Sequence, residues 1–325
     1  MMIGRRQISL MIAALGVVAF ASPAWAQAWP QRPVKIIVPF AAGGNTDSIA
    51  RVIAQRLSET LGEQFVIENK PGANGAIAAE FVARAPADGY TLFLAAAPQI
   101  ATLPLLTKTP YDPVKDFDPV SNIGSNPFVL AVNADFSAKT LKEFVERIRA
   151  EPNKIPYASG GSGSLGHLTM ALFLKRAGLE MTHVPYRGGG PAIADTIAGH
   201  IPVYFANLSE ALPHVASGQL RLLAVSGVKR SAQISDVPTV SESGYPGFQS
   251  LTWNGILAPA GTPKEIVNRV AHEVSLAVKD PVIVKNLTNL GVDPIGDQPA
   301  QFAATIATDI AIWSETIKAA GVTLQ

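Results

Sequence analysis

Apolar positions along this chain alternate between two rhythms, a run or two-residue beat typical of strands and a three-to-four-residue beat typical of helices. Residues 34–40 form a β-branched apolar run that predicts a buried strand, broken by Ala41-Ala42-Gly43-Gly44-Asn45-Thr46-Asp47. Ile49, Ile53, Leu57 and Leu61 then recur every fourth position, and Gly62 stands where a helix C-cap belongs. Residues 65–68 predict a second strand. Ile77, Phe81 and their alanine neighbours predict a helix ending before Pro86, and the Asp88-Gly89 turn leads into a strand at 90–96. This βαβαβ order implies a parallel sheet with helices on both faces and right-handed connections.

The pattern restarts with a strand at 128–133 and a capping box, Thr140-Leu141-Lys142-Glu143, before a helix whose inner face is Leu141, Phe144, Val145 and Ile148. Strands at 155–159, 182–186, 203–207 and 220–226 alternate with helices starting near Ser164, at Pro191 and near Ser209. A strand at 251–259 follows, then a second capping box, Thr262-Pro263-Lys264-Glu265, with Pro at the first helical position. The tail reads as helices at 265–279 and 281–290 and a last one with Phe302, Ile306, Ile310, Trp313 and Ile317 on one face. Three helices without strands make no third sheet, so they pack back on the first. The expected architecture is α/β in two lobes, each a doubly wound sheet flanked by helices. Lobe 1 is 27–127 plus 251–325, lobe 2 is 128–250, and the cleft between them is the natural ligand site.

Residues 1–26 fall outside this pattern. Arg5-Arg6, an apolar run over 8–20 and the small-x-small Ala24-Trp25-Ala26 have the form of a signal peptide cleaved before Gln27. The run is too short to span a bilayer, which needs roughly 20 residues. The match to a twin-arginine signal is poor, so the general export route and a periplasmic location are expected. Removal of the leader takes both its arginines and leaves 24 basic and 25 acidic groups, net −1. That balance disfavours nucleic acid as a partner. With no Cys in the 325 residues, disulfides, thiolate nucleophiles and Cys-ligated metals are excluded.

Three glycine-bearing loops follow strands and open helices. Pro39 to Asp47 offers inward N–H groups at a helix N-terminus, which suits an anion; tight turning at Gly43 and Gly44, with Thr46 or Asp47 as helix cap, is the plainer reading, and Asp47 is expected to cap under both. Residues 157–167 supply Ser159, Ser164 and His167 at the matching place in the second lobe. Gly161, Gly163 and Gly166 there spell a dinucleotide fingerprint, but the next strand ends in Tyr186-Arg187 without the acid that pattern needs, so no cofactor is expected. Gly188-Gly189-Gly190-Pro191 opens the third loop, beside Tyr186 and Arg187. Phe40 and Tyr186 are candidate cleft residues, with ordinary packing as the plainer reading, and Asn207, ending the strand at 203–207, points toward the same region. The five histidines are scattered, and neither H-E-x-x-H nor G-x-S-x-G occurs, so no catalytic or metal site is expected.

PFAAGGNTDSIARVIAQRL, FVIENKPGANGAIAAEFVARAPADGYTL, YDPVKDF, YASGGSGSLGHL, HVPYRGGGPA, LRLLAVSG, DVPTVSESGYPG and GILAPAGTP together resemble the Bug family, extracytoplasmic receptors of tripartite tricarboxylate transporters. The resemblance runs through the mature chain in order. It implies a type II periplasmic-binding-protein fold, capture of a small carboxylate by backbone amides, hydroxyls and waters, and delivery to integral membrane permease subunits. By this resemblance the ligand contacts are Phe40, Gly43, Gly44, Thr46 and Asp47 in lobe 1 and Ser159, Ser164, His167, Tyr186 and Gly188 in lobe 2; the residue reading adds Asn207. Ala95-Ala96-Ala97-Pro98 and Ser164-Leu165-Gly166 replace more polar family segments, which predicts a ligand less polar than citrate, a monocarboxylate or aromatic carboxylate. A monomer is expected. The competing readings are a ligand sensor feeding a membrane kinase and a secreted hydrolase using Ser164 with His167, three residues apart on one helical face.

Overall fold

The computed structural model describes residues 29–186 and 188–320; the expected leader at 1–26 and Arg187, beside the third loop, lie outside the described residues. The chain opens with β1 (Val34–Val38), α1 (Asn45–Leu61), β2 (Phe65–Asn69), α2 (Ala76–Ala83) and β3 (Thr91–Ala96). β1 pairs in parallel with β2 and with β3, as the crossover helices require. Gly62 closes α1 in the left-handed conformation, φ 79°, with its N–H on the Ser58 carbonyl. A π-helical turn, Pro98–Thr102, leads into α3 (Leu103–Leu106).

β4 (Phe117–Asn133) is far longer than the strand expected at 128–133. Pro119 and Pro127 cannot donate to a ladder and so disguise its first part as loop. Register shifts between Pro119 and Ser121 and between Asn122 and Gly124 absorb the irregularity as bulges. The second half contains α4 (Leu141–Ala150), β5 (Pro156–Ser159), α5 (Leu165–Ala177), β6 (Thr182–Pro185), α6 (Gly189–Ile197), β7 (Val203–Asn207), α7 (Leu208–Ala216) and β8 (Leu220–Val225). The chain returns through β9 (Leu251–Pro259) to α8 (Lys264–Ala277), α9 (Pro281–Asn289), β10 (Asp293–Pro294) and α10 (Pro299–Ala320).

β4 belongs to both halves. Its residues 117–127 run antiparallel to β9, with β10 alongside at 124–125, while 128–133 lie between β7 and β8. The strand order is β2-β1-β3-β9-β4-β7-β5-β6. Parallel pairing thus holds within each crossover unit, and the long connecting strands add the antiparallel part. At the crossing, Ser226 ties the two connections together. The Phe128 N–H donates to its Oγ at 2.8 Å, its hydroxyl donates to the Ser250 carbonyl, and the Ser250 N–H donates to the Ser226 carbonyl at 3.0 Å.

Alternation along β1 divides the core. Ile36 and Val38 face Ile49, Ile53 and Leu57 of α1 and the α8 valines, whereas Ile37 and Phe93 face Ala78, Ala79 and Val82 of α2. α8 and α9 cover α1, and α10 runs along β4 to reach α5 in the second half. The capping box expected at Thr262 does not form. Pro263 is extended (ψ 130°), α8 starts one residue later, and the Thr262 hydroxyl donates to the Pro259 carbonyl. α6 starts at Gly189, two residues before the expected Pro191. Among the described residues no helix is long and apolar enough to cross a membrane.

Candidate functional site

The carboxyl ends of β1, β3, β5 and β7, together with the loop after β6, open on one cleft of about 560 Å³. Phe40, Gly44, Asn45 and Thr46 form part of one wall, and Gly160, Gly163, Ser164 and Gly188 part of the other. Asn74, Gln99 and Thr102 extend the first wall; Asn207 and Glu210 extend the second. Thr252 and Asn254 of β9 and Phe128 of β4 line it where the halves meet.

The first wall is built around an uncapped helix. Gly44 is the N-cap of α1 and brings no side-chain hydrogen bond. Asp47, expected as that cap, stands inside the first turn and braces the loop from behind. Its carboxylate accepts from the Gly43 N–H (2.9 Å), Arg51 Nε (2.9 Å) and Asn69 Nδ2 (2.9 Å). Burial alone would push this carboxyl up, but those donors hold it below the usual range. Asn69 Nδ2 also reaches the Phe40 carbonyl at 3.0 Å. With its cap side chain missing, the start of α1 turns open N–H groups and the positive end of its dipole toward the cleft.

In the second wall, Ser164 caps α5 by accepting the His167 main-chain N–H at 3.3 Å. His167 Nδ1 accepts the Gly163 N–H at 3.0 Å, which fixes that nitrogen as the unprotonated one. The His167 ring stacks on His183, and His183 Nε2 lies 2.6 Å from Ser159 Oγ, which accepts the Gly161 N–H. Burial, then the neighbouring His183, lowers His167 to about 4, so the ring is neutral near pH 7. Ser164 Oγ and His167 Nδ1 thus each accept a main-chain N–H, which ties the start of α5 to the loop before it. The Gly188 N–H donates to the Gly160 carbonyl at 3.1 Å, tying the second loop to the third.

Of the candidates read from sequence, Phe40, Gly44, Thr46, Ser164, Gly188 and Asn207 border the cleft. Asp47, Ser159 and His167 are buried behind it as braces, and Gly43, exposed, is held in place by the Asp47 carboxylate. Tyr186 points elsewhere, its hydroxyl donating to Asp195 at 2.5 Å. Gln99 escaped the sequence reading: its Oε1 accepts the Ala96 N–H and its Nε2 donates to the Asn74 carbonyl, so it holds the π-helical turn in place. Glu210 escaped it too. Asn207-Leu208-Ser209-Glu210 has the spacing of a capping box, and Asn207 Oδ1 does accept the Ser209 N–H.

Two α/β halves joined by paired crossing strands, with helix N-termini converging on the space between, define a two-lobed binding protein of the periplasmic type. The chain belongs to the tripartite tricarboxylate transporter receptor family, whose model matches residues 49–322. It is similar to BugT of Bordetella pertussis, 35% identical over 98% of this chain and 97% of that protein. Among solved structures it is similar to Rpa4515 of R. palustris with adipate, at 37% identity and TM-score 0.85, covering 91% of this chain and 99% of that one. It is also similar to MatC of Rhodopseudomonas palustris with bound malate, at 33% identity and TM-score 0.79, covering 89% and 100%. The Bug-family resemblance and the two-lobed α/β expectation are thereby borne out.

Proposed function

We propose that this protein is a periplasmic receptor that captures a small carboxylate between lobes 27–127 plus 251–325 and 128–250 and passes it to the permease subunits of a tripartite transporter. The observation that carries the reading is the uncapped N-terminus of α1 opening on the cleft opposite the glycine loops of the second half. Hydrogen bonds to a charged group contribute roughly 1.5 to 3 kcal/mol each, so a few N–H donors suffice for micromolar binding after ordering losses. Phe40, Gly44, Thr46, Ser164, Gly188 and Asn207 are the contacts in this reading, with Gly43, Asp47, Ser159 and His167 as their supports. The adipate and malate in the two R. palustris relatives support the carboxylate class.

In this reading the protein is exported, loses residues 1–26, works as a monomer, and binds without chemical turnover. Calorimetry of the mature protein against mono-, di- and tricarboxylates tests it, with small-angle scattering to follow closure. One carboxylate binding at one-to-one stoichiometry with a smaller radius of gyration is the expected result. Heat evolution that continues with product release, or no carboxylate bound at all, overturns it.

A further inference from the structure

One feature of the cleft runs against anion capture. Among its described lining residues Glu210 is the one carboxylate, and no Lys, Arg or His stands beside it there. Glu210 is half-buried in the first turn of α7, where its Oε2 accepts the Tyr204 hydroxyl at 3.0 Å. Its other side lies against Gly189 at the start of α6, closely enough that a methyl group on Gly189 would overlap the carboxylate. Gly188, the N-cap of α6, supplies no side-chain hydrogen bond, so the positive end of that helix faces an internal carboxylate. The two glycine-capped helix starts at the cleft therefore differ. That of α1 is open to a guest anion, and that of α6 already has one from the protein.

We infer that the cleft recognises an amino-substituted monocarboxylate, its carboxylate at the N-terminus of α1 and its ammonium against Glu210. This rests on the receptor reading above and narrows its ligand class. Burial pushes the Glu210 carboxyl up, while Tyr204 and the Asn207 main-chain N–H pull it back. With the start of α6 and two donors beside it but no cation among the described lining residues, this half-buried carboxylate is only partly compensated, a deficit that an arriving ammonium makes good and a second ligand carboxylate aggravates. Asn254, 2% exposed and bordering the same cleft, adds an acceptor: its Nδ2 donates to Asn126 at 3.4 Å and its Oδ1 has no partner. The polar wall thus holds more acceptor capacity than a simple dicarboxylate can satisfy.

The test is calorimetry with chain-matched series of three to eight carbons, each length offered as the alkanoate, the dicarboxylate and the ω-amino acid, on wild type and Glu210→Gln. Gln keeps an oxygen for Tyr204 and nearly the same volume, and an unchanged melting temperature checks that the variant folds. At the best length the wild type binds the ω-amino acid at least about tenfold more tightly than the dicarboxylate, the size of one modest charge pair. Glu210→Gln brings the two within about threefold, chiefly by strengthening the dicarboxylate. A wild type that prefers the dicarboxylate, or the same preference in both proteins, overturns the inference and leaves the receptor reading intact. No binding of any member to either protein overturns both.

Discussion

The rings of His167 and His183 lie face to face, 3.8 Å between centroids and 3° from parallel, directly behind the glycine loop after β5. A proton on His167 breaks its bond from the Gly163 N–H and places charge against the second ring. Because His167 is lowered from 6.5 to about 4 in the fold, the unfolded chain takes up its proton first as pH falls. Stability is complete above pH 6.5, declines through the interval down to about 4, and loses about 3 kcal/mol from this group across it. Melting temperature measured from pH 7 to 4 should fall less steeply in His167→Gln than in wild type. Parallel curves would show that the ring is not the acid-sensitive element.

Asp47 gives a second expectation. Asp47→Ala leaves the Gly43 N–H without its acceptor and the Asn69 amide with the Phe40 carbonyl alone, a loss of about 1–2 kcal/mol for these part-buried bonds. The Arg51 ion pair contributes little, since Arg51 is mostly exposed. Ligand affinity should fall along with stability, because the loop that presents the α1 amides loses its brace, whereas Arg51→Ala should leave affinity near wild type. Denaturant titration and calorimetry on both variants check this, and equal losses in the two would contradict it.

Close approach predicts the outcome at Gly166. A methyl group there would lie 2.7 Å from the Phe205 carbonyl oxygen, and backbone cannot step aside as a side-chain tip can. Gly166→Ala should cost about 1–3 kcal/mol as α5 is forced off β7. Gly190→Ala, with open space around it, is the control and should melt within a degree or two of wild type.

Ser226 is fully buried at the crossing between halves, and its single oxygen serves both connections. Ser226→Ala strands the Phe128 N–H and removes the donor to Ser250, for about 1–3 kcal/mol. Hydrogen exchange should report the loss locally, with faster exchange at Phe128 and Ser250 and little change in β1 or β2. Uniform acceleration over the whole chain would contradict a local tie.

Much of this architecture is legible from spacing. The β-branched run of β1, the four-residue beat of α1 and the stop at Gly62 act locally, so their signal survives in the sequence. β4 hides its first part because its prolines and polar residues are paid for by bulges and by partners at 251–259, more than a hundred positions away. Asp47 was placed at the correct helix end but in the wrong role, since only the fold brings Asn69 to it. Glu210 illustrates the opposite problem: a lone acid near a helix start looks solvated until the packing of β7 and α6 encloses it. Ile77 and Phe81 remain exposed because α2 meets the sheet through Ala78, Ala79 and Val82, small side chains that permit a close approach.

The strand shared by both halves also sets the mechanics of the molecule. With β4 continuous across the junction and its ladder to β9 ending at Pro127 opposite Leu251, the halves are joined there by two neighbouring chain segments held together at Ser226, a link that is soft to twisting and stiff to stretching. Pulling the halves apart must stretch covalent backbone in both segments, while turning one against the other asks only for small changes of dihedral angle on either side of the Ser226 tie.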